Sequence, residues 1–399
     1  MKVLMIGPGE PSTENSGLGV VAKNIAVKLS KKVELKVIHP VQSNALISNE
    51  ITTENIEVSN EYFTDEQVTK EISSIDIASD IPHYFYDGVV SESSKSESVI
   101  SEVRSILNAY TSKILEKTKK LSFDIIYAHD WTSIPAAMAL KKALGIPLVL
   151  HIHSLDYDRA TTLTNSWVYD LEKEGLEAAD SIIAVSRYHA GIMAENYKID
   201  PAKINVIHHA INIPASVNKK PVFKEKLVVF VGRLTGQKGP EQFLNIAKLV
   251  HIKNINTRFV IAGSGDLMQE LIESGINASL EGKFHFTGQL TQEKLFELYS
   301  MADVYCMPSV SEPFGLTAIE AAAFKVPIVL SKQSGAAEVL PASLVADYWD
   351  TKGFAGHVIK LLEDNALSES IVEQNLTELK KHNWNNVADQ IIEIFNKNN

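Results

Sequence analysis

Short apolar runs recur along the chain, and each is followed by a turn and a helical pattern. In the first half the runs are Val3–Ile6, Val33–Ile38, Asp124–Ala128, Pro147–Ile152, Ser181–Val185 and Lys203–Ile207. In the second half they are Leu227–Val231, Arg258–Ala262, Lys283–Thr287, Val304–Met307 and Pro327–Ser331. Such β-branched, almost continuously apolar runs are typical of strands buried in a parallel sheet. The pattern therefore predicts an α/β fold with helices on both faces of each doubly wound sheet.

The two series of runs are separated by Ile213–Lys226, which contains two prolines and four lysines and has no helical periodicity. This segment predicts a linker between two domains, 1–214 and 215–384. A helix over about 385–399, with Val387, Ile391, Ile392 and Phe395 on one stripe, is able to pack back on the first domain.

Residues 41–122 show weaker periodicity than the rest of the chain. They predict variable loops, a strand near His83–Tyr86 and an amphipathic helix from about Ser91. Ligands of open α/β sheets bind beyond the carboxyl ends of the strands. Functional residues are therefore expected directly after strands, facing a cleft between the two domains.

Composition narrows the classes of protein that this chain can represent. Among 399 residues, 38 Lys and Arg oppose 49 Asp and Glu, for a net charge of −11. This balance argues against general binding to nucleic acid or anionic lipid. The single cysteine, Cys306, excludes a disulfide framework and a Cys-based zinc site. No signal peptide or membrane span is predicted, so a cytoplasmic protein is expected, and any phosphate must be bound by local positive charge and backbone amides.

Two glycine-rich segments near the start of the chain are candidate phosphate loops. The turn Gly7-Pro-Gly9 lacks the third glycine of a dinucleotide-binding fingerprint, and no acidic residue follows the second strand. A nicotinamide site is therefore not expected. Ser16-Gly17-Leu18-Gly19 precedes the predicted helix Val21–Leu29 and is either a phosphate-binding turn or a simple tight turn.

Polar residues follow two strands of the first half. His153 ends the run Pro147–Ile152, His151 shares its face one step deeper, and Asp130 follows the preceding strand. We expect Asp130 and His153 to be functional residues rather than only polar loop residues. Metal binding by the two histidines is not expected.

The second half contains a local cluster of positive charge, which an acidic protein needs in order to bind a phosphate. Gly232-Arg233-Leu-Thr-Gly236-Gln-Lys238-Gly239 follows its first strand, and Arg and Lys suit phosphate oxygens. The alternative is a solvated loop with two unrelated basic residues.

A second candidate segment, Ser309–Glu320, follows the strand Val304–Met307. It places Glu312 in a loop and Glu320 in a helix that runs through Ala323, with amides near Phe314–Thr317 open to an anion. A carboxylate at position 320 needs a partner, which ribose hydroxyls are able to supply.

Together these motifs resemble retaining nucleotide-sugar glycosyltransferases of the GT-B architecture, the group of glycogen and starch synthases and sucrose-phosphate synthases. The matching segments are Ser16–Gly19, His129-Asp-Trp131, His153-Ser-Leu, Gly232–Gly239, Ala262-Gly263-Ser-Gly-Asp266, Phe286-Thr-Gly288, Glu312 with Glu320, and Ser334-Gly335. The resemblance implies two Rossmann-like domains, with the acceptor on the first and the donor on the second. It is weak only across about 41–122.

The resemblance also implies a role for each matched residue. Arg233 and Lys238 are expected to bind the donor diphosphate in place of a metal, and Gly17 to approach it from the first domain. Glu312 is expected to contact the transferred sugar and Glu320 the ribose. The remaining donor-side residues are Gly263, Phe314, Gly315 and Leu316. Asp130 and His153 are expected on the acceptor side, with His153 near the reaction centre.

The expected reaction is metal-independent transfer of a hexose, glucose by preference, with retention of configuration. The co-substrate is a nucleotide sugar such as UDP-glucose or ADP-glucose, without a further cofactor, and the acceptor is a sugar or an α-glucan. Bacterial glycogen synthases have a lysine in the first glycine loop, but here the segment reads Glu14-Asn15-Ser16-Gly17. Donor and acceptor therefore stay open. The alternatives are a lipid or small-molecule acceptor, a nucleotide-sugar epimerase of the same fold, and a non-catalytic sugar-binding protein. The oligomeric state is not predicted.

Overall fold

The computed structural model describes residues 1–7, 17–42, 72–79, 97–160, 166–214, 222–253, 256–277, 280 and 282–399. The chain divides into two compact units. Unit 1 contains 1–185, 190–207 and 384–399, and unit 2 contains 186–189 and 208–383. The predicted strand near His83–Tyr86 and half of the predicted linker (215–221) lie outside the described residues. The domain boundary near 215 stays a prediction.

Unit 1 is built on one parallel sheet with helices between its strands. The strands are β1 (Lys2–Ile6), β2 (Glu34–Gln42), β3 (Ile72–Ser79), β4 (Ile125–His129), β5 (Leu148–Ile152), β6 (Ser181–Ala184) and β7 (Ile204–Val206). The helices are α1 (Gly17–Leu29), α2 (Glu97–Thr118), α3 (Asp130–Leu144), α4 (Asp156–Ala160), α5 (Trp167–Ala178) and α6 (Arg187–Asn196), whose first residues are counted with unit 2. The seven strands are ordered β3-β2-β1-β4-β5-β6-β7.

Unit 2 repeats this plan with a sheet of six parallel strands. They are β8 (Lys226–Val231), β9 (Thr257–Ala262), β10 (Phe284–Phe286), β11 (Val304–Met307), β12 (Ile328–Ser331) and β13 (Leu344–Ala346), in the order β10-β9-β8-β11-β12-β13. Its helices are α7 (Pro240–Lys253), α8 (Met268–Asn277), α9 (Gln292–Met301), α10 (Leu316–Ala323), α11 (Thr351–Glu363) and α12 (Asn365–Leu379). Short 3₁₀ turns at Pro201–Lys203, Gly236–Lys238 and Gly335–Glu338 complete the described elements.

Every strand that the apolar runs predict within the described residues is present, and the α/β prediction is confirmed. Two further strands, β3 and β13, carry no clear apolar run. Both lie at an edge of their sheet, and β13 has only three residues, of which Val345 is 37% exposed. An edge strand with a solvated face does not need a continuous apolar run, so periodicity alone does not find it. Among the described helices, none combines the length and apolar character needed to cross a membrane.

Aromatic side chains fill the core of unit 2 between the sheet and α7. Phe243 projects from α7, and its ring centroid lies 5.5 Å from that of Phe230 and 5.9 Å from that of Phe284. Phe230 and Phe243 are fully buried. The sole cysteine, Cys306, is buried in β11, and burial raises the pKa of its thiol.

The last helix of the chain, α13 (Trp384–Asn398), belongs to unit 1 although all of unit 2 separates it from the rest of that unit in sequence. The ring of Phe395 meets the ring of Tyr127 edge to face at 5.2 Å, and both are fully buried. Lys32, in the turn between α1 and β2, pairs with Asp389 at 2.6 Å. The face that α13 buries includes three residues of the predicted apolar stripe, Val387, Ile391 and Phe395. Ile392 is only partly buried, and Ile394 is buried instead.

We predict that Phe395→Ala destabilises unit 1 by about 3–5 kcal/mol, because it removes a fully buried aromatic ring and leaves a cavity. Urea unfolding followed by tyrosine and tryptophan fluorescence measures the change. Glu393→Ala, on the exposed face of the same helix, serves as the control and is expected to stay within about 0.5 kcal/mol of wild type. Equal effects of the two substitutions would contradict the packing described here.

Candidate active site

The strand order of unit 2 reverses between β8 and β11, which are neighbours in the sheet. The chain runs from β8 outward to β9 and β10, and then returns to β11 and continues to the opposite edge. Loops on the two sides of such a reversal leave in opposite directions, and this is where open α/β sheets bind ligands. Here the two loops are the β8 loop, residues 232–239, and the β11 loop, residues 308–315.

The two loops are joined by an ion pair between residues that the sequence identified separately. The Lys238 ammonium lies 2.6 Å from Oε2 of Glu312, and the two side chains are only 20% and 8% exposed. The backbone N–H of Val310 also donates to the carbonyl of Gln237 at 2.8 Å. A positive and a negative group are thus held side by side at the reversal point, where hydrogen bonds between charged groups are strong.

Glycines allow the loops around this pair to approach each other backbone to backbone. A Cβ at Gly239, where φ is +71°, would lie 2.2 Å from the carbonyl oxygen of Pro308. A Cβ at Gly263, where φ is +144°, would lie 1.9 Å from the carbonyl oxygen of Gly232. Only glycine fits these positions without moving the backbone.

Arg233 lies in the β8 loop between two fixed points. The N–H of Gly232 donates to the carbonyl of Ala262 at 3.0 Å, and that of Leu234 donates to Ser264 at 2.9 Å. Arg233 itself is partly buried. The loop thus carries Arg233 and Lys238 on a backbone that is tied to the loop after β9.

The N-terminus of α10 follows the β11 loop directly. Gly315 is the N-cap residue, with φ of +86°, and no side chain caps the helix. The ring of Phe314 is buried against His208 and His209, at centroid distances of 6.1 and 5.1 Å. Phe314 therefore contributes backbone, not its ring, to this terminus. The start of α10 at Leu316 is suited to an anion because N-terminal amides and the helix dipole both favour negative charge.

Glu320 lies further along α10, and a neighbouring tyrosine provides its partner. Burial raises the pKa of Glu320 to about 7, while a hydrogen bond from Tyr299 lowers it. That hydroxyl donates to Oε2 at 3.3 Å. The sequence indicated that this carboxylate needs a partner, but it did not identify Tyr299, which lies 21 positions away.

Ser186 and Glu338 make further long-range hydrogen bonds that sequence reasoning did not find, and that of Ser186 holds the β11 loop. The hydroxyl of Ser186 donates to the carbonyl of Pro313 at 2.6 Å. Glu338 accepts hydrogen bonds from the backbone N–H of Arg187 at 3.0 Å and from Nε2 of His208 at 2.8 Å. No local motif marks such contacts, because the partners are more than 120 residues apart.

In unit 1, Asp130 and His153 are in direct contact. Asp130 is the first residue of α3 and has a φ of +55°. Its Oδ1 accepts the backbone N–H of His153 at 2.6 Å. A non-glycine residue in the left-handed region is uncommon, and such strain is concentrated at functional sites.

Three histidines stack beside this contact at the carboxyl ends of β4 and β5. The ring of His153 lies over that of His151 at 4.3 Å and beside that of His129 at 5.2 Å. Nδ1 of His129 and Nε2 of His153 are 2.9 Å apart, and the hydroxyl of Tyr127 is 2.6 Å from Nδ1 of His151. Ring nitrogens of the three histidines lie within 4.8 Å of one another, so this is the group, among the described residues, that has the spacing to hold a metal ion. Within this group, hydrogen bonds join His129 to His153 and His151 to Tyr127.

Gly17 is the first residue of α1, so this helix begins four residues before the predicted Val21. Glycine lowers helix propensity, which explains the later predicted start, but it is tolerated in a first turn whose N–H groups have no partner inside the helix. Ser16 and the rest of the turn after Gly7 lie outside the described residues.

The predicted site residues thus fall into two groups. Unit 2 contains Arg233, Lys238, Gly263, Glu312, Phe314, Gly315, Leu316 and Glu320, and unit 1 contains Gly17, Asp130 and His153. The roles predicted for these residues remain predictions.

We predict that Gly263→Ala destabilises unit 2 by at least about 2 kcal/mol, because a Cβ adds both a clash and an unfavourable φ. Urea unfolding measures the loss. Gly236→Ala is the matched control from the neighbouring loop, since no atom lies within 4 Å of its Cβ position. A loss no larger than that of the control would refute the close approach.

We also predict that Lys238→Met costs roughly 2–4 kcal/mol, because it leaves the buried Glu312 carboxylate without its cation. The double variant Lys238→Met/Glu312→Gln is expected to recover most of this loss, as measured by a double-mutant cycle of unfolding free energies. Lys332→Met, which breaks the more exposed pair with Asp347, controls for loss of a surface charge. If the double variant is no more stable than the single variant, the two side chains do not interact as described.

Two protein families match the chain and together cover most of it. Residues 213–377 match the family "Glycosyl transferases group 1", and residues 80–213 match "Glycosyltransferase Family 4". An uncharacterized glycosyltransferase of Methanocaldococcus jannaschii is 29% identical over 294 residues, which are 68% of this chain and 75% of that protein. Glycogen synthase of Mycobacterium tuberculosis is 27% identical over 284 residues, 68% of each protein.

Solved structures agree with the fold. Sucrose-phosphate synthase from Thermosynechococcus elongatus superposes with a TM-score of 0.77 at 18% identity, covering 100% of this chain and 98% of that one. The trehalose-6-phosphate protein from E. coli, bound with UDP-2-fluoro glucose, gives a TM-score of 0.72 at 14% identity and covers 99% of both chains. The two sheets and the likeness to these structures show the GT-B fold. The two adjoining family matches indicate a glycosyltransferase.

Proposed function

We propose that this glycosyltransferase moves a hexose, glucose by preference, from a nucleotide sugar to a hydroxyl group of a sugar or an α-glucan, with retention and without a metal ion. The observation that carries the proposal is the Lys238–Glu312 pair at the strand reversal of unit 2. In this pair a cation, which suits phosphate, and a carboxylate, which suits sugar hydroxyls, lie 2.6 Å apart. A nucleotide sugar has phosphate on one side of its anomeric carbon and sugar hydroxyls on the other.

The donor diphosphate is assigned to the positive side of this arrangement. Arg233 and Lys238 supply fixed charge from one loop, and the uncapped start of α10 supplies backbone amides. Such preorganised groups stabilise charge most when it develops on the leaving nucleotide, so they lower the barrier rather than only bind the donor. In this proposal they perform the role that a divalent ion has in other transferases.

The sugar and the ribose are assigned to the two glutamates. Glu312 is buried beside Gly315 and is oriented by Lys238, so it is suited to accept hydroxyl hydrogens of the transferred hexose. Glu320 lies about one turn into α10 and is proposed to accept the ribose hydroxyls, in competition with Tyr299. Gly263 keeps the loop after β9 close to the β8 loop.

The transfer step needs no reagent other than the donor and the acceptor. The bond between the anomeric carbon and the diphosphate oxygen breaks, and the acceptor oxygen forms the new bond on the same face of the sugar. The acceptor proton passes to the departing phosphate oxygen. In unit 1, His153 is proposed to lie near this centre, where Asp130 fixes its backbone. Names of relatives such as glycogen synthase favour glucosyl transfer. We place the reaction in the cytoplasm, since a single buried thiol suits a reducing compartment.

We predict that Arg233→Ala and Glu312→Gln each lower kcat for transfer by about 10²–10³-fold, as expected when one preorganised stabilising group is removed. Transfer is measured with UDP-, ADP- and GDP-hexoses against maltooligosaccharides and small sugars, and the anomeric configuration of the product is read by proton NMR. Lys332→Ala, an exposed cation after β12, is the control and should retain wild-type turnover.

A thermal-shift screen with the same donors accompanies these assays. The true donor at 100 times its Kd is expected to add about 2.7 kcal/mol of apparent stability. If the donor sugar is converted to an epimer in the absence of any acceptor, the enzyme is an epimerase and the proposed transfer activity is wrong. Wild-type turnover in both site variants, or stabilisation by none of the nucleotide sugars, would refute the proposed site.

A further inference from the structure

Carboxylates hold the segment that follows β5 in unit 1, which we call the His153 loop (residues 153–160). Asp130 accepts the N–H of His153 at 2.6 Å. Asp158 accepts the N–H of Leu155 at 2.9 Å, and Glu172 accepts the N–H of Asp156 through both oxygens at 2.9 and 3.0 Å. The N–H groups of His153, Leu155 and Asp156 are therefore already paired with acidic side chains, and that of Tyr157 with the Tyr197 hydroxyl. An anion is not expected to bind at this helix end.

Arg159 connects the two ends of the loop to the same carboxylate. Its guanidinium donates to Oγ of Ser154 at 2.9 Å and to Oε1 of Glu172 at 2.8 Å. The Arg159 side chain is 7% exposed and that of Glu172 is 1% exposed. Because Ser154 directly follows His153, this contact fixes the residue next to the proposed reaction centre.

Glu172 also accepts a hydrogen bond from Tyr197, which directly follows α6. The hydroxyl of Tyr197 donates to Oε2 at 2.5 Å, and its ring stacks on Tyr169 at 4.4 Å. One buried carboxylate on α5 thus accepts from a backbone amide, a guanidinium and a phenol. A fully hydrogen-bonded group of this kind allows one arrangement of its partners, and partial loss leaves buried charge unsatisfied.

Stability alone does not account for a buried ion pair. Desolvation of both charges offsets most of their attraction, so an apolar pair of similar volume is often equally stable. What the pair does supply is a defined geometry, because each hydrogen bond fixes a direction as well as a distance. Geometry is what a reactive site needs, since a displacement of about 1 Å by a distant substitution can lower a rate by about 10²-fold.

We propose that Glu172 and Arg159 are positioning residues of the transferase, which fix the His153 loop so that His153 is held in its working orientation without touching substrate themselves. This inference rests on the proposed function, in which His153 lies near the reaction centre. It predicts that the two residues control kcat rather than donor binding, which belongs to unit 2.

The test compares three changes within the network. Glu172→Gln removes the charge and keeps the shape of the side chain. Tyr197→Phe removes one hydroxyl and keeps the ring, so it guards against a Glu172 variant that fails to fold. Arg159→Met/Glu172→Gln removes both charges and leaves no buried ion without a partner.

We expect Glu172→Gln to lower kcat by roughly 10–100-fold, with a donor KM within about threefold of wild type, and Tyr197→Phe to act in the same direction more weakly. The double variant should regain thermal stability but not kcat. A purely structural role would restore both together, so recovery of kcat in the double variant overturns the proposal. Unchanged kcat in Glu172→Gln overturns it as well.

Lys141→Met/Asp180→Asn is the matched control at the opposite end of β5. This ion pair, 2.7 Å long, also contacts β5, since Asp180 accepts the N–H of Leu148 at 2.8 Å. Its loss should leave kcat within about twofold of wild type. An equal loss of kcat in this control would mean that any disturbance of β5 impairs the enzyme, and would overturn a specific role of Glu172.

Hydrogen–deuterium exchange separates this inference from the proposed function. Amides 153–157 are expected to exchange at least tenfold faster in Glu172→Gln than in wild type, whether or not a donor is known. Unchanged exchange would show that Glu172 does not hold the loop. If exchange is faster in Glu172→Gln but the wild-type protein transfers no sugar, the proposed function is refuted. The conclusion that Glu172 holds the loop would still stand.

Discussion

The reversal of strand order between β8 and β11 is the constraint on which the chemistry of unit 2 depends. Strands that run outward in both directions leave two loops at this point with no crossover helix to fill the space between them. The Lys238–Glu312 pair joins these loops, and Gly239 and Gly263 permit the backbone contacts that surround it. The fold therefore supplies the gap, and a few short contacts determine its chemical character. Replacing those contacts alters the site without altering the order of the strands.

The excess of acidic residues in the chain has different effects at the strand ends of the two units. In unit 1 the amides after β5 are accepted by Asp130, Asp158 and Glu172, so negative charge is part of the framework there. In unit 2 the start of α10 has no side-chain cap, and the nearby cations Arg233 and Lys238 lie on the β8 loop. The same element, a loop after a parallel strand, is closed to anions in one unit and suited to them in the other. Local arrangement, not net charge, decides where a phosphate is able to bind.

Apolar runs and loop motifs in the sequence were sufficient to predict the parallel sheets and the loops that carry the candidate residues. This succeeded because a buried parallel strand must be apolar on both faces and because its following loop is adjacent in sequence. Edge strands such as β3 and β13 lack that requirement, so they were missed. The contacts of Ser186 with Pro313 and of Tyr299 with Glu320 were equally invisible, since each joins residues that are distant in sequence and belong to no shared motif. Glu172 appears in the sequence as one of several acidic positions on a helix, and only its burial distinguishes it.

The placement of α13 in unit 1 has a consequence for the order in which the units are completed during synthesis. Unit 2 ends at Asn383, so all of its strands and helices are available before the last helix has been translated. Unit 1 begins at Met1 but lacks the helix that covers Tyr127 until residues 384–399 emerge. Chains generally fold from the N-terminus as domains emerge. Here the half that is made first must wait, with part of its apolar surface exposed, for the half that is made second.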